Sequence, residues 1–298
     1  MIILSNLLQR RNFEPYAAVW WIRILAFGVI SLLICGLWWL ATGKLMTVAS
    51  MFTSVAIASF AVEFFRRDGR ADLFGVTVTS ETAYDLVNGL VLTIANILFF
   101  GVVAYLLGGK MSTTFVAPDD SALLIINTFL LAFSEELIFR GVIFQSLIDY
   151  FGKYIAVLLM ALLFAFAHYF NAEMTAVSFI NLILAAVLFS VMYIKTQSLW
   201  LSISFHLAWN YSLQMFLGSP VSGFPPEFSL VDFSVTELPV VLFGGDYGIE
   251  GGVVASIALF ADILIVLKCA HASPAVSARM FKRYYAESRI LYENRNNK

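Results

Sequence analysis

The 298-residue chain is 60% hydrophobic and only 13% charged, with a mean hydropathy of +0.85. A water-soluble globule of this size needs about 25% charged residues to cover its surface, so a soluble enzyme is excluded. The net charge of -2 supplies no basic field for nucleic acid. The two cysteines, Cys35 and Cys269, form neither a disulfide framework nor a metal cluster.

The charges are bunched. Uncharged runs of 20, 18, 24, 19, 21 and 31 residues follow Arg23, Lys44, Asp85, Lys153, Glu173 and Lys195, each long enough to cross ~30 Å of hydrocarbon as a helix. The first apolar run follows Arg10-Arg11 without a small-residue cleavage pattern, which reads as a retained span and not a signal peptide. The expected fold is all-α: one polytopic membrane domain over 1–298 with eight transmembrane helices, near 17–41, 45–63, 86–108, 121–149, 154–170, 175–194, 198–217 and 251–267. Residues 64–84 read as a cytoplasmic turn. Residues 218–250, rich in Gly, Pro and Ser, read as a flexible outer loop. The glycines at 244, 245, 248, 251 and 252 lack the strand–turn–helix setting of a phosphate loop.

Loop charge gives the orientation, since Lys and Arg are retained on the cytoplasmic side. With the N-terminus inside, the inner segments carry 14 Lys and Arg, seven of them in the tail 268–298, and the outer side only Lys44 and Lys110. Both termini are therefore expected in the cytoplasm, at the cell membrane if the source is bacterial.

Ionisable groups at bilayer depth are costly unless they pair or line a wet cavity. The fourth span contains Glu135-Glu136 and Arg140, the fifth His168, and the seventh His206 and Asn210. Glu136 and Arg140, four apart with the acid first, are spaced to pair on one helix face. Glu135 lies about 100° around the helix, free to face a different cavity. His206 and Asn210 point the same way one turn apart. Glu135 and His168 are equally distant from the turn near residue 151, ~25 Å along their helices, and so stand level. A single Glu–Arg pair or a single His in a span fits a structural role as well as a catalytic one. Two acids, two imidazoles and an amide on three spans are harder to assign to packing alone. Asp262, solitary near the end of the last span, reads as a local structural or snorkelling residue, and Asn88, Asn96, Asn127 and Asn181 read as interhelical hydrogen bonders.

Glu-Glu-x-x-x-Arg, Phe-x-x-x-His and His-x-x-x-Asn, in this order within apolar helices, resemble the CAAX protease and bacteriocin-processing family of intramembrane endopeptidases. The motifs Glu135-Glu136…Arg140, Phe164…His168 and His206…Asn210 match without departure, and the resemblance covers about 121–217. It implies an intramembrane endopeptidase acting on a membrane-associated protein or peptide. In that reading Glu135 and His168 activate a water, His206 and Asn210 donate to the oxyanion, and Glu136 and Arg140 give structural support. Metal-free glutamate chemistry requires no cofactor. Zinc is the other option, with Glu135, His168 and His206 as ligands. A non-proteolytic scaffold or bacteriocin-immunity protein that uses the same polar cluster to bind a partner is the alternative function.

Overall fold

The computed structural model describes residues 20–44, 47–64, 75–109, 121–226, 229 and 238–271. The N-terminal Arg10-Arg11, the turn residues 65–74 and the tail from 272 onward lie outside the described residues. Helices α1 (Trp20–Thr42), α2 (Val48–Phe64) and α3 (Thr82–Leu106) are followed by α4 (Ser121–Glu136). A π-helical segment, Leu137–Ile143, carries the chain from α4 into α5 (Phe144–Phe151). Then come α6 (Lys153–Ala167), α7 (Ala176–Thr196), α8 (Trp200–Leu217), the short α9 (Val240–Phe243), two 3-10 turns and α10 (Val253–Cys269). Among the described residues there is no named strand, only an isolated bridge between Val221 and Phe224.

The all-helical expectation is borne out, and a helix falls in each of the eight expected segments. Four stretches are long and apolar enough to cross a membrane: Trp20–Thr42, Thr82–Leu106, Ala122–Phe151 and Ala176–Thr196. Val48–Glu63 and Lys153–Ala167 are apolar but shorter. Helix α1 shows what solvent it was built for. Only Phe27 is buried along it, while Leu32 and Leu40 are each 74% exposed. Leaving such side chains in water forfeits ~1.5–3 kcal/mol apiece; in hydrocarbon it costs nothing.

Two hydrophobic cores meet along α7 and α8. One gathers Phe27, Val55, Phe144, Met160, Phe164 and Ile203; the other gathers Phe100, Leu188, Met192, Phe205, Leu213 and Leu259. Helix α8 is fixed closely to α3. An ideal Cβ on Gly89 would lie 2.7 Å from the Phe205 nitrogen, so only glycine permits this approach. The Ser204 hydroxyl then donates to the Leu86 carbonyl at 2.6 Å. Across the bundle, Arg23 of α1 meets Asp149 of α5 at 3.0 Å and Glu63 of α2 at 3.9 Å.

The π-helical segment interrupts what the sequence presents as one continuous span. Gly141, at φ -75° and ψ -114°, is non-helical inside it, and the carbonyl of Arg140 accepts from Gln145 Nε2 at 3.2 Å. Such one-turn widenings recur at functional sites, and this one begins directly after Glu135-Glu136.

One expectation needs correction and one pair of alternatives is decided. The described part of 218–250 is not a flexible loop: Phe243, Tyr247 and Ile249 are each 1% exposed, and the Ile249 amide donates to Ser219 Oγ at 3.0 Å. These apolar side chains, spaced among the glycines, fold the segment onto the bundle. Of the two readings of Asp262 the structural one holds and the snorkelling one does not: it is 3% exposed and accepts from Asn96 Nδ2 at 2.7 Å, which ties α10 to α3. Its solitary position in sequence concealed a partner 166 residues away.

Candidate active site

Glu135 and Glu136 end α4, Arg140 sits in the π-helical segment, and His206 and Asn210 lie on α8. Glu136 and Arg140 are fully buried and pair as their spacing predicts, Arg140 Nη1 to Glu136 Oε1 at 3.2 Å. The guanidinium carbon also stands 4.8 Å from the Phe164 ring centre and 4.7 Å from that of Phe189. Both are cation–π distances, so two aromatic faces and one carboxylate enclose the charge.

Spacing within one helix does not reveal the next contact. The same Glu136 Oε1 lies 3.1 Å from His206 Nδ1. Glu136 therefore joins Arg140 on its own chain segment to His206 on α8. With Nδ1–H donating to this carboxylate, Nε2 is turned toward Glu135, whose Oε2 is 3.7 Å away. The Phe189 ring, 5.1 Å from the imidazole and inclined 23° to it, holds its plane. Two acidic side chains thus surround the one guanidinium and the one imidazole.

His168 is not inside a helix. Helix α6 ends at Ala167 and His168 is its C-cap residue; the expected span to 170 is too long. Its Nδ1 is 2.8 Å from the Phe164 carbonyl, an acceptor only, so Nδ1–H donates to it and Nε2 is left for another partner. The Phe164 ring lies 4.4 Å from the imidazole. The motif Phe-x-x-x-His thus has one local meaning: the phenylalanine supplies both the carbonyl and the ring that orient the histidine.

Glu135, His168, His206 and Asn210 all line one cavity of about 760 Å³. Glu136 and Arg140 lie behind it. The sequence reading missed other lining residues: Asn171, Ser222, Tyr247 and Glu250. They lie in turns brought together only by the fold, and no helical spacing marks them. Asn127, read as an interhelical hydrogen bonder, also faces the cavity. Asn181 is the interhelical hydrogen bonder expected, its Oδ1 accepting from Ser256 Oγ of α10 at 2.6 Å, and it also donates to the carbonyls of Glu250 and Gly252 at 2.8 and 2.9 Å.

The zinc alternative calls for Glu135, His168 and His206 together. Glu135 and His206 approach one another, but among the described residues no three His, Cys, Asp or Glu are grouped so as to hold a metal ion. His168 does not complete a triplet with them.

The apolar, all-helical chain thus places a carboxylate, two imidazoles and an amide around one cavity, the polar groups that peptide hydrolysis within a membrane would draw on. Residues 117–212, which carry all seven motif residues, match the family described as Type II CAAX prenyl endopeptidase Rce1-like, in agreement with the resemblance in the sequence. No curated protein matches the chain.

Proposed function

We propose that the chain is an intramembrane endopeptidase that hydrolyses a peptide bond of a membrane-associated protein or peptide without a metal. The observation that carries this is the convergence of Glu135, His168, His206 and Asn210 on one cavity. A water held between the Glu135 carboxylate and His168 Nε2 loses its proton to Glu135 as its oxygen attacks the scissile carbonyl. The oxyanion receives hydrogen bonds from His206 Nε2–H, in the imidazolium form, and from the Asn210 amide. Glu135 returns the proton to the departing amine, so two carboxylic acid equivalents are not needed. Glu136 and Arg140 touch no reacting atom in this scheme; Glu136 keeps the proton of His206 on Nδ1 and Arg140 compensates its charge. Ser134 is no nucleophile, since its hydroxyl donates to the Leu130 carbonyl at 2.6 Å.

Eight crossings, with both termini in the cytoplasm, agree with the distribution of 14 Lys and Arg on one side against two on the other. Helices α2, α6, α8 and α10 are the short members, and α8 bears the polar residues that lower its hydropathy. In this topology the cavity belongs to a single membrane domain whose motif-bearing part is 121–217.

The test uses the purified protein in detergent with two quenched fluorescent peptides of one sequence ending in Cys-aliphatic-aliphatic-X, one prenylated on the cysteine and one not. Cleavage of either that falls by ~10² or more in His168→Ala, as expected for loss of an acid–base partner, supports the reading. Cleavage of the prenylated peptide alone assigns the substrate class in the matched family's name. Equal cleavage by the wild type and His168→Ala refutes the mechanism.

A further inference from the structure

Resting on the endopeptidase reading, we infer that Glu250 is a positioning residue that sets His168 relative to the His206–Asn210 pair. His206 and Asn210 stand on α8, which is locked against α3 and both cores. His168 has no such support. It lies past the end of α6, its ring held by Phe164 and its backbone by the neighbouring Ala165 and Asn171, all local contacts, so its place opposite α8 is set by whatever holds that turn.

A chain of hydrogen bonds runs between the two. Trp209, adjacent to Asn210, donates its indole N–H to Glu250 Oε2 at 3.0 Å. The other carboxylate oxygen, Oε1, accepts from the Ser222 amide and from the Ser222 hydroxyl at 2.9 Å. The Ser222 carbonyl accepts from Asn171 Nδ2 at 3.1 Å. The Asn171 backbone N–H, finally, donates to the carbonyl of His168 at 3.0 Å. The bonds at Glu250 and Ser222 join segments distant in sequence, the last is local to the turn that carries His168, and Glu250 is the carboxylate at the centre.

Both ends of the chain are stiff. Trp209 is stacked on Phe205, 5.4 Å and 25°, and set edge-on to Phe100, 5.6 Å and 80°. The Glu250 carbonyl accepts from Asn181 Nδ2 of α7 at 2.8 Å, so the backbone of the carboxylate is anchored independently of its side chain. Beside Ser222, Gly223 at φ +82° approaches the turn after His168 so closely that an ideal Cβ would lie 2.1 Å from the Ala172 oxygen. The 219–226 segment therefore presses on that turn as well as bonding to it. A carboxylate is required at the centre because all three donors, one indole N–H, one amide N–H and one hydroxyl, need an acceptor. An amide at 250 turns an NH₂ toward one of them.

The experiment compares wild type, Glu250→Gln, Trp209→Phe and the double variant as full chains in detergent. The chain has three histidines, 168, 206 and 271, so ring-labelled histidine gives three NMR signals that single substitutions assign. Glu250→Gln should move the His168 ring signal although Glu250 does not touch it. On the prenylated or unprenylated quenched peptide, kcat per folded molecule should fall about tenfold, with KM changed less than about twofold, as for a misplaced catalytic group. Trp209→Phe should act in the same direction, and the double variant should be no worse than the lower single one, since both break one chain. An unmoved His168 signal, or a loss of thermal stability with kcat of the folded fraction unchanged, overturns the inference. Should the wild type cleave neither peptide, or Glu135→Gln cleave as well as wild type, the endopeptidase reading fails instead, and the His168 signal still decides whether Glu250 positions it.

Discussion

Replacing Arg140 by Ala tests the buried charge cluster most severely. Glu136 Oε1 has two positively polarised partners, Arg140 Nη1 at 3.2 Å and His206 Nδ1 at 3.1 Å, and both Glu136 and Arg140 are 0% exposed. Removing the guanidinium leaves a carboxylate in a fully buried place with the imidazole alone, a loss of ~3–5 kcal/mol. The contacts to Phe164 and Phe189 add roughly 1–2 kcal/mol more, together with the void left by the side chain. A total of about 4–7 kcal/mol is comparable with the whole stability of an ordinary domain. Equilibrium unfolding in mixed micelles, followed for Arg140→Ala, Glu136→Gln and the double variant, reads it directly. The double variant carries no orphaned carboxylate and should be more stable than Arg140→Ala, with a coupling of at least about 2 kcal/mol. Strictly additive losses would refute the pairing.

Three further outcomes are expected. Gly89→Val should force α3 away from α8, because the added atoms meet the Phe205 backbone and the Ser204 side chain at 2.7 Å, and should cost at least ~1–3 kcal/mol in the same unfolding assay. Asn96→Ala should cost ~1–3 kcal/mol by leaving Asp262 without its 2.7 Å donor, and Asn96→Leu with Asp262→Leu should recover much of that. A reporter fused after residue 298 should be active only on the cytoplasmic side; activity on the opposite face would overturn the orientation and the even number of crossings.

What the sequence reveals and what it conceals divide along the range of the interactions. The eight helical segments follow from runs of apolar residues between charges, a local signal that outward-facing Leu32 and Leu40 and inward-facing Phe100 carry alike. The Glu136–Arg140 pair is legible because its geometry is that of one helix turn. The contact of Glu136 with His206 spans 70 residues, and no periodicity announces it. His168 was expected within a helix because the apolar pattern runs on through Tyr169 and Phe170, yet α6 stops at Ala167. Glu250 was absorbed into a glycine-rich loop, although that loop is bound at Ser219, Ser222 and Asn181. The π-helical segment at Leu137–Ile143 likewise has no hydropathy signature, since it alters the winding of the backbone while leaving the apolar composition unchanged.

The central claim, that Glu135 performs the chemistry, is tested most directly by comparing the membrane peptides of cells that carry wild type with those that carry Glu135→Gln at equal membrane abundance. The account predicts cleaved products present with wild type and lost in Glu135→Gln, with the uncut precursor accumulating. Identical peptide profiles in the two, or products undiminished in Glu135→Gln, would contradict it.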